Sequence, residues 1–141
     1  MGAKKTVIRA VLDTNVIVSA LILRGPTNQL SGLWQQEKFR LIVSKAVLNE
    51  YLRVLAYPKF KLSSEEVKSM IERELLPFIH PVEVKEVPAA IPEDPSDNEF
   101  LACAEAGECH YLVSGDAHLL NLKHYKKIPI VSVADFLRVL S

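Results

Sequence analysis

Hydrophobic positions along this chain fall into two patterns. Short, mainly apolar, β-branched runs at residues 7–12, 40–43 (RLIV) and 111–113 (YLV) predict buried strands. Residues 78–84 and 128–131 are further strand candidates, each holding a proline that favours a strand edge or end. That makes five strands. Between them the spacing changes to helical: residues 16–23, 28–37 and 46–55 carry apolar side chains one turn apart, the last with Val47, Leu48, Tyr51, Leu52 and Leu55 on one face.

Polar punctuation sharpens these boundaries. Ser63 followed by Glu66 is a capping box ahead of a helix over 67–76, which Pro77 ends. Ser96 followed by Glu99 is expected to open another helix, with Gly107 as its stop. A last helix starts near Ser132, with Asp135 in the reciprocal position and Phe136, Leu137 and Leu140 turned inward. Residues 87–95 (VPAAIPEDP) are too rich in proline for regular helix or inner strand and form a loop entering the site region. Strands alternating with helices imply an α/β sandwich with a mostly parallel sheet, because parallel neighbours need crossovers of about a dozen residues. Ligands of such sheets bind at the carboxyl ends of the strands.

Composition narrows the class. With 141 residues, 49% hydrophobic and 24% charged, the chain is expected to fold as one soluble domain, 1–141, with its core over about 7–140. Two cysteines without zinc-finger spacing suit a reducing cytoplasm, and no apolar run reaches the roughly 18 residues of a membrane span. Seventeen Lys and Arg balance seventeen Asp and Glu, so the basic excess of many nucleic-acid binders is missing. The charges are uneven, however: eight acidic residues and one Lys lie between Glu83 and Glu108, and Lys123, Lys126 and Lys127 cluster later.

Four carboxylates stand out by position. Asp13 follows the first predicted strand and Asp116 follows the strand that ends before Ser114 and Gly115, so both belong at carboxyl ends of one sheet. Asp97 lies at or near the first position of the helix opened by Ser96, and Glu50 lies in the helix after the second strand. Clustered carboxylates repel unless a cation compensates them, and hard divalent ions take oxygen ligands, so the set suggests metal-assisted phosphodiester hydrolysis. Each residue has an ordinary alternative: helix capping for Asp13 and Asp116, favourable placement at a helix amino end for Asp97, and a solvated surface position for Glu50.

The segments VLDTNV (11–16), DPSDNEFL (94–101) and YLVSGD (111–116) resemble, in order and spacing, the three signature blocks of PIN domains, and the resemblance spans 7–140. It implies a Rossmann-like sheet of five parallel strands, Mg²⁺ or Mn²⁺ as cofactor, and endonucleolytic cleavage of single-stranded RNA. It assigns catalytic metal-site roles to Asp13, Glu50, Asp97 and Asp116, and roles in orienting the carboxylates or a water to Asn15 and Ser114. A turn amide and a strand-end hydroxyl are the ordinary alternatives for these two. DTNVIVSAL and DPSDNEFL further resemble the VapC-like toxin components of toxin–antitoxin pairs, which implies an antitoxin partner and a homodimer. His110 departs from the pattern, since relatives often carry Asp before the third block; a changed strand-start contact is expected.

Among the remaining residues, His118 has the chemistry for a phosphate contact or proton transfer, with a surface or capping histidine as the ordinary alternative. Asp94 is expected to serve a turn. Arg24, Lys59, Lys61 and the 123–127 cluster are candidates for phosphate contacts, and Trp34 and Phe39 for the core or a dimer interface. Two rivals remain: a PIN-fold binding module without catalysis, which the complete acidic set opposes, and a receiver-like doubly wound domain. The latter would need an acidic pair after the first strand and a lysine after the last, and both are missing.

Overall fold

Each short apolar run becomes a strand of one sheet in the computed structural model, which describes residues 7–23, 28–89 and 95–141. Strands β1 (Arg9–Leu12), β2 (Arg40–Val43), β3 (Ile79–Pro81), β4 (Tyr111–Val113), β5 (His124–Tyr125) and β6 (Ile128–Val131) lie in the order β3-β2-β1-β4-β6-β5. All neighbours are parallel except β5 and β6. The mostly parallel α/β architecture is as expected, with six strands instead of five. The sixth is a two-residue edge strand, too short to stand out as a hydrophobic run.

The apolar positions of β1 and β2 are fully covered, which is why they lack the polar alternation of a half-exposed strand. The core formed around them includes Trp34 and Phe39, at 1% and 0% exposure. Phe39 meets the Phe136 ring edge-on, with centroids 5.0 Å apart.

Helices α1 (Thr14–Ile22), α2 (Gln29–Gln35), α3 (Lys45–Leu55), α4 (Ser64–Met70), α5 (Pro95–Ala106), α6 (Ala117–Leu122) and α7 (Val133–Leu140) connect or follow the strands. The Ser63–Glu66 capping box forms in both directions. Ser132 caps α7, whereas the Asp135 carboxylate pairs with Arg138. Three expectations are revised. The helix after Ser63 widens into a π turn over Ile71–Leu75 and then tightens over Leu76–Phe78. Pro77 has no N–H to continue the ladder, and the Glu74 carbonyl accepts the Trp34 indole N–H at 2.8 Å. Second, Pro95 takes the first position of α5, where its missing N–H costs nothing, so Ser96 lies inside the helix. Third, Glu108 is the left-handed residue after α5, with φ 48°. Gly107 is required by packing instead: a Cβ there would come within 2.4 Å of Ile42 Cγ2.

The strand order decides where a crevice can open. From β1 the chain moves to β2 and β3 on one side, then returns to β4 on the other, so the carboxyl ends of β1 and β4 flank a topological switch point. Leu12 pairs with Val113, and the next amide, Asp13 N–H, still donates to the Val113 carbonyl at 3.0 Å. Asp13 and Ser114 therefore leave the sheet side by side. At the opposite edge, His110 Nδ1 accepts the Arg9 N–H at 2.9 Å, the strand-start contact expected of this position. Burial lowers the affinity of that imidazole for a second proton, leaving it the acceptor this bond requires.

Candidate metal centre

Asp13 turns out of β1 and caps α1: its Oδ1 accepts the Val16 N–H at 2.9 Å. Its Oδ2 accepts a short hydrogen bond from the Ser114 hydroxyl. That hydroxyl also accepts the Asp116 N–H at 2.9 Å, so one fully buried serine couples the first and third sequence blocks. Asp13 is 4% exposed. Burial raises its pKa above the ordinary 3.8, against the lowering effect of Ser114 and of the Val16 and Gly115 amides, while the Asp116 charge adds a smaller upward push. A buried carboxylate with no cation beside it favours its proton; a cation would restore the charged form.

Tyr51 anchors the second wall. This fully buried residue of α3 donates its hydroxyl to the Leu12 carbonyl, tying α3 to the end of β1. Burial holds that phenol well above its ordinary 10.0, so it remains a donor. Glu50, its neighbour on α3, reaches the crevice mouth. There Arg53 holds it with a forked contact, Nη2 to Oε1 at 2.6 Å and Nε to Oε2 at 3.3 Å, and Arg53 Nη1 donates to the Tyr57 hydroxyl at 2.7 Å.

Asp97, the third residue of α5, is 5% exposed. Asp116 caps α6, with Oδ1 accepting the His118 and Leu119 N–H groups at 2.8 and 3.3 Å. Asp13, Glu50, Asp97 and Asp116 all line one crevice of about 320 Å³, with Asn15, Arg53 and Lys59 on its walls. A larger groove of about 750 Å³ lies between the start of α3 and the segment after β3. Its lining is mostly apolar and includes none of Asp13, Glu50, Asp97 or Asp116, all of which line the smaller crevice.

The sequence-selected carboxylates thus meet in space along one crevice. Among the described residues, the group whose donor atoms all lie within 4.8 Å of one another is Asp97, Asp116 and His118. Both Asp13 oxygens accept hydrogen bonds, and Glu50 is engaged by Arg53. Asn15 is exposed on the first turn of α1, and Ser114 is buried between the two aspartates. Arg53 is the residue that sequence reading missed. Its signal was the spacing Glu50, Arg53, Tyr57, which puts the three on one face of α3 and just beyond its end.

The basic candidates divide. Lys59 lines the crevice. Lys126 and Lys127 form the turn leading into β6, at the amino edge of the sheet away from the carboxylates, and Lys126 pairs with Glu105. Arg24 and Asp94 lie outside the described residues.

Comparison with solved structures agrees on the fold. The chain superposes on the VapBC2 structure from Rickettsia felis, bound to a DNA fragment from their promoter, with a TM-score of 0.61 and 14% identity, covering 89% of this chain and 98% of that one. FitAcB from Neisseria gonorrhoeae gives 0.60 and 16%, with the same coverage. PAE2754 from Pyrobaculum aerophilum gives 0.56 and 16%, covering 95% of this chain and 89% of that one. No curated protein sequence matches the chain. The family model for the PIN domain matches residues 9–118. The matched stretch opens with β1 and closes two residues past Asp116, so it contains all four carboxylates, and the chain belongs to the PIN-domain family.

Proposed function

We propose that this protein is a metal-dependent endoribonuclease that cuts single-stranded RNA in the cytoplasm, as the toxin component of a toxin–antitoxin pair. The observation that carries the reading is the convergence of Asp13, Glu50, Asp97 and Asp116, from four separate segments, on one crevice at the switch point of the sheet. The donor set fits Mg²⁺ or Mn²⁺: carboxylate oxygens are the ligands hard divalent ions take. Asp97 and Asp116 would hold the ion, with Glu50 and Asp13 completing the acidic wall. When bound, it supplies Lewis acidity toward water and phosphate and relieves the repulsion among the carboxylates.

The chain's own residues do the rest. Ser114 fixes the Asp13 carboxylate and, through the Asp116 amide, the start of α6. Asn15 offers an amide at the mouth to orient a water or a phosphate oxygen. Arg53 and Lys59 supply positive charge where the flanking phosphates of a strand would lie. Arg53 also shields Glu50 until phosphate or cation competes for one member of the pair. Resemblance of the sequence blocks to VapC-like toxins, together with the fold likeness to VapBC2 and FitAcB, supports an antitoxin partner; the homodimer rests on the sequence resemblance alone.

The second reading is a PIN-fold binding module without catalysis, and the engagement of Glu50 by Arg53 is the observation in its favour. A labelled single-stranded RNA pool incubated with Mg²⁺, Mn²⁺ or EDTA separates the two. Metal-dependent cutting that is lost in folded Asp13→Asn and Asp97→Asn variants is the expected result. Absence of cutting with both metals, from protein of native circular dichroism, would favour the binding module.

A further inference from the structure

We propose that His118 is a nitrogen ligand of the metal centre, beside Asp97 and Asp116, and that it turns the site toward Mn²⁺ or Co²⁺ over Mg²⁺. The inference rests on the metal-dependent reading above and names the ion class that reading leaves open.

The start of α6 explains how the imidazole reaches the site. Asp116 caps the helix, and its Oδ1 takes the His118 and Leu119 N–H groups, which fixes the carboxylate against the backbone. His118, the second residue of α6, therefore emerges next to the carboxylate that its own amide holds. Its side chain is 55% exposed, and Nδ1 lies 3.9 Å from Asp116 Oδ1, too far for a hydrogen bond that would lock the ring. One donor atom from each of Asp97, Asp116 and His118 lies within 4.8 Å of the others. Around a six-coordinate ion with bonds of about 2.1 Å, adjacent ligands sit about 3 Å apart and opposite ones about 4.2 Å. The 3.9 Å between His118 Nδ1 and Asp116 Oδ1 falls between those two values, and the exposed imidazole is free of a hydrogen bond to that carboxylate.

A second feature belongs to the crevice that Asp97 and Asp116 line. Thr14 is buried and lines it, and its hydroxyl has no hydrogen-bond partner among the described residues. Buried hydroxyls are normally satisfied; a ligand or its water would satisfy this one. The oxygens of Asp97 and Asp116 alone would suit Mg²⁺. A neutral imidazole added to them raises affinity for transition ions along the series that begins at Mn²⁺ and climbs through Co²⁺.

The test is direct metal binding by the full chain, read by calorimetry with Mn²⁺ and Mg²⁺ and by the visible absorption of bound Co²⁺, in wild type and His118→Ala. Losing a ligand should weaken Mn²⁺ binding at least tenfold, since even residues that only support metal ligands contribute that much. Mg²⁺ binding should change less than threefold, and the Co²⁺ bands should shift. His118→Gln, which keeps a polar side chain on the exposed surface, should behave like the alanine variant. Equal losses for both ions, or none, would overturn the assignment, as would a wild type that binds neither. RNA cutting that persists beside unchanged Mn²⁺ affinity in His118→Ala would remove the ligand and leave the nuclease. Mn²⁺ binding that depends on His118 without any RNA cutting would do the reverse.

Discussion

Replacing Ser114 by alanine removes a single oxygen that serves two partners. The residue is fully buried, donates to Asp13 Oδ2 and accepts the Asp116 N–H at 2.9 Å. A hydrogen bond to a charged group contributes about 1.5–3 kcal/mol, and a stranded, partly buried amide costs about 1 kcal/mol more. The expected loss at pH 7 in EDTA is therefore about 2–4 kcal/mol, or roughly 5–15 °C in Tm for a chain of this size. The loss should also depend on pH. Asp13 titrates above its ordinary 3.8 in the folded protein because of burial, so the fold holds that proton more tightly than the unfolded chain. Stability consequently falls as pH rises from about 3.8 through the folded value. Ser114 opposes the shift; without it the fall extends to higher pH, and the variant's deficit grows from acid to neutral. Urea unfolding followed by circular dichroism at pH 4 and pH 7 measures both effects. Pairing the change with Asp13→Asn in a double-mutant cycle isolates the contact itself. A deficit below about 0.5 kcal/mol at neutral pH, or one no smaller in acid, would refute the reasoning.

Three further outcomes are expected. Arg53→Gln releases Glu50 and removes a crevice cation, so RNA affinity measured by anisotropy should drop and the slope of log K against log salt should lose about 0.7; an unchanged slope would confine Arg53 to its partner on α3. Gly107→Ala forces a Cβ to within 2.4 Å of Ile42 Cγ2 and should cost about 1–3 kcal/mol in denaturant unfolding, whereas an unaltered midpoint would mean that the α5 end relaxes freely. Burial pushes the Cys103 thiol up to about 11 and Cys109 still further, so a thiol reagent at pH 8 should label neither residue until urea unfolds the chain.

Much of the fold was legible because its signals are local. Short, mainly apolar runs marked the strands β1, β2 and β4, since a strand covered on both faces needs no polar alternation. Caps at Ser63 and Ser132 were readable because the hydroxyl satisfies an amide only three residues away. The three blocks around Asp13, Asp97 and Asp116 were readable as a set, although each aspartate alone reads as a cap or a helix-end charge. Asp13 and Asp116 do cap their helices, and they line the crevice as well.

What the sequence by itself determined is therefore most of the element order, the parallel α/β class and the four carboxylates that line one crevice, because periodicity, capping and side-chain chemistry act over a few positions. Only the tertiary structure decided which groups share the space. Asp13 and Ser114 meet because β1 and β4, about a hundred residues apart in sequence, become neighbours in the sheet. The Glu50–Arg53 pair is local to α3, but it reaches the crevice because Tyr51 fastens α3 to the end of β1. The turn holding Lys126 and Lys127 falls at the far edge because β6 runs parallel to β4, and His118 joins Asp97 and Asp116 because α6 begins at the switch point. Such meetings depend on strand order and on the burial that pins each helix, and neither leaves a periodic trace along the chain.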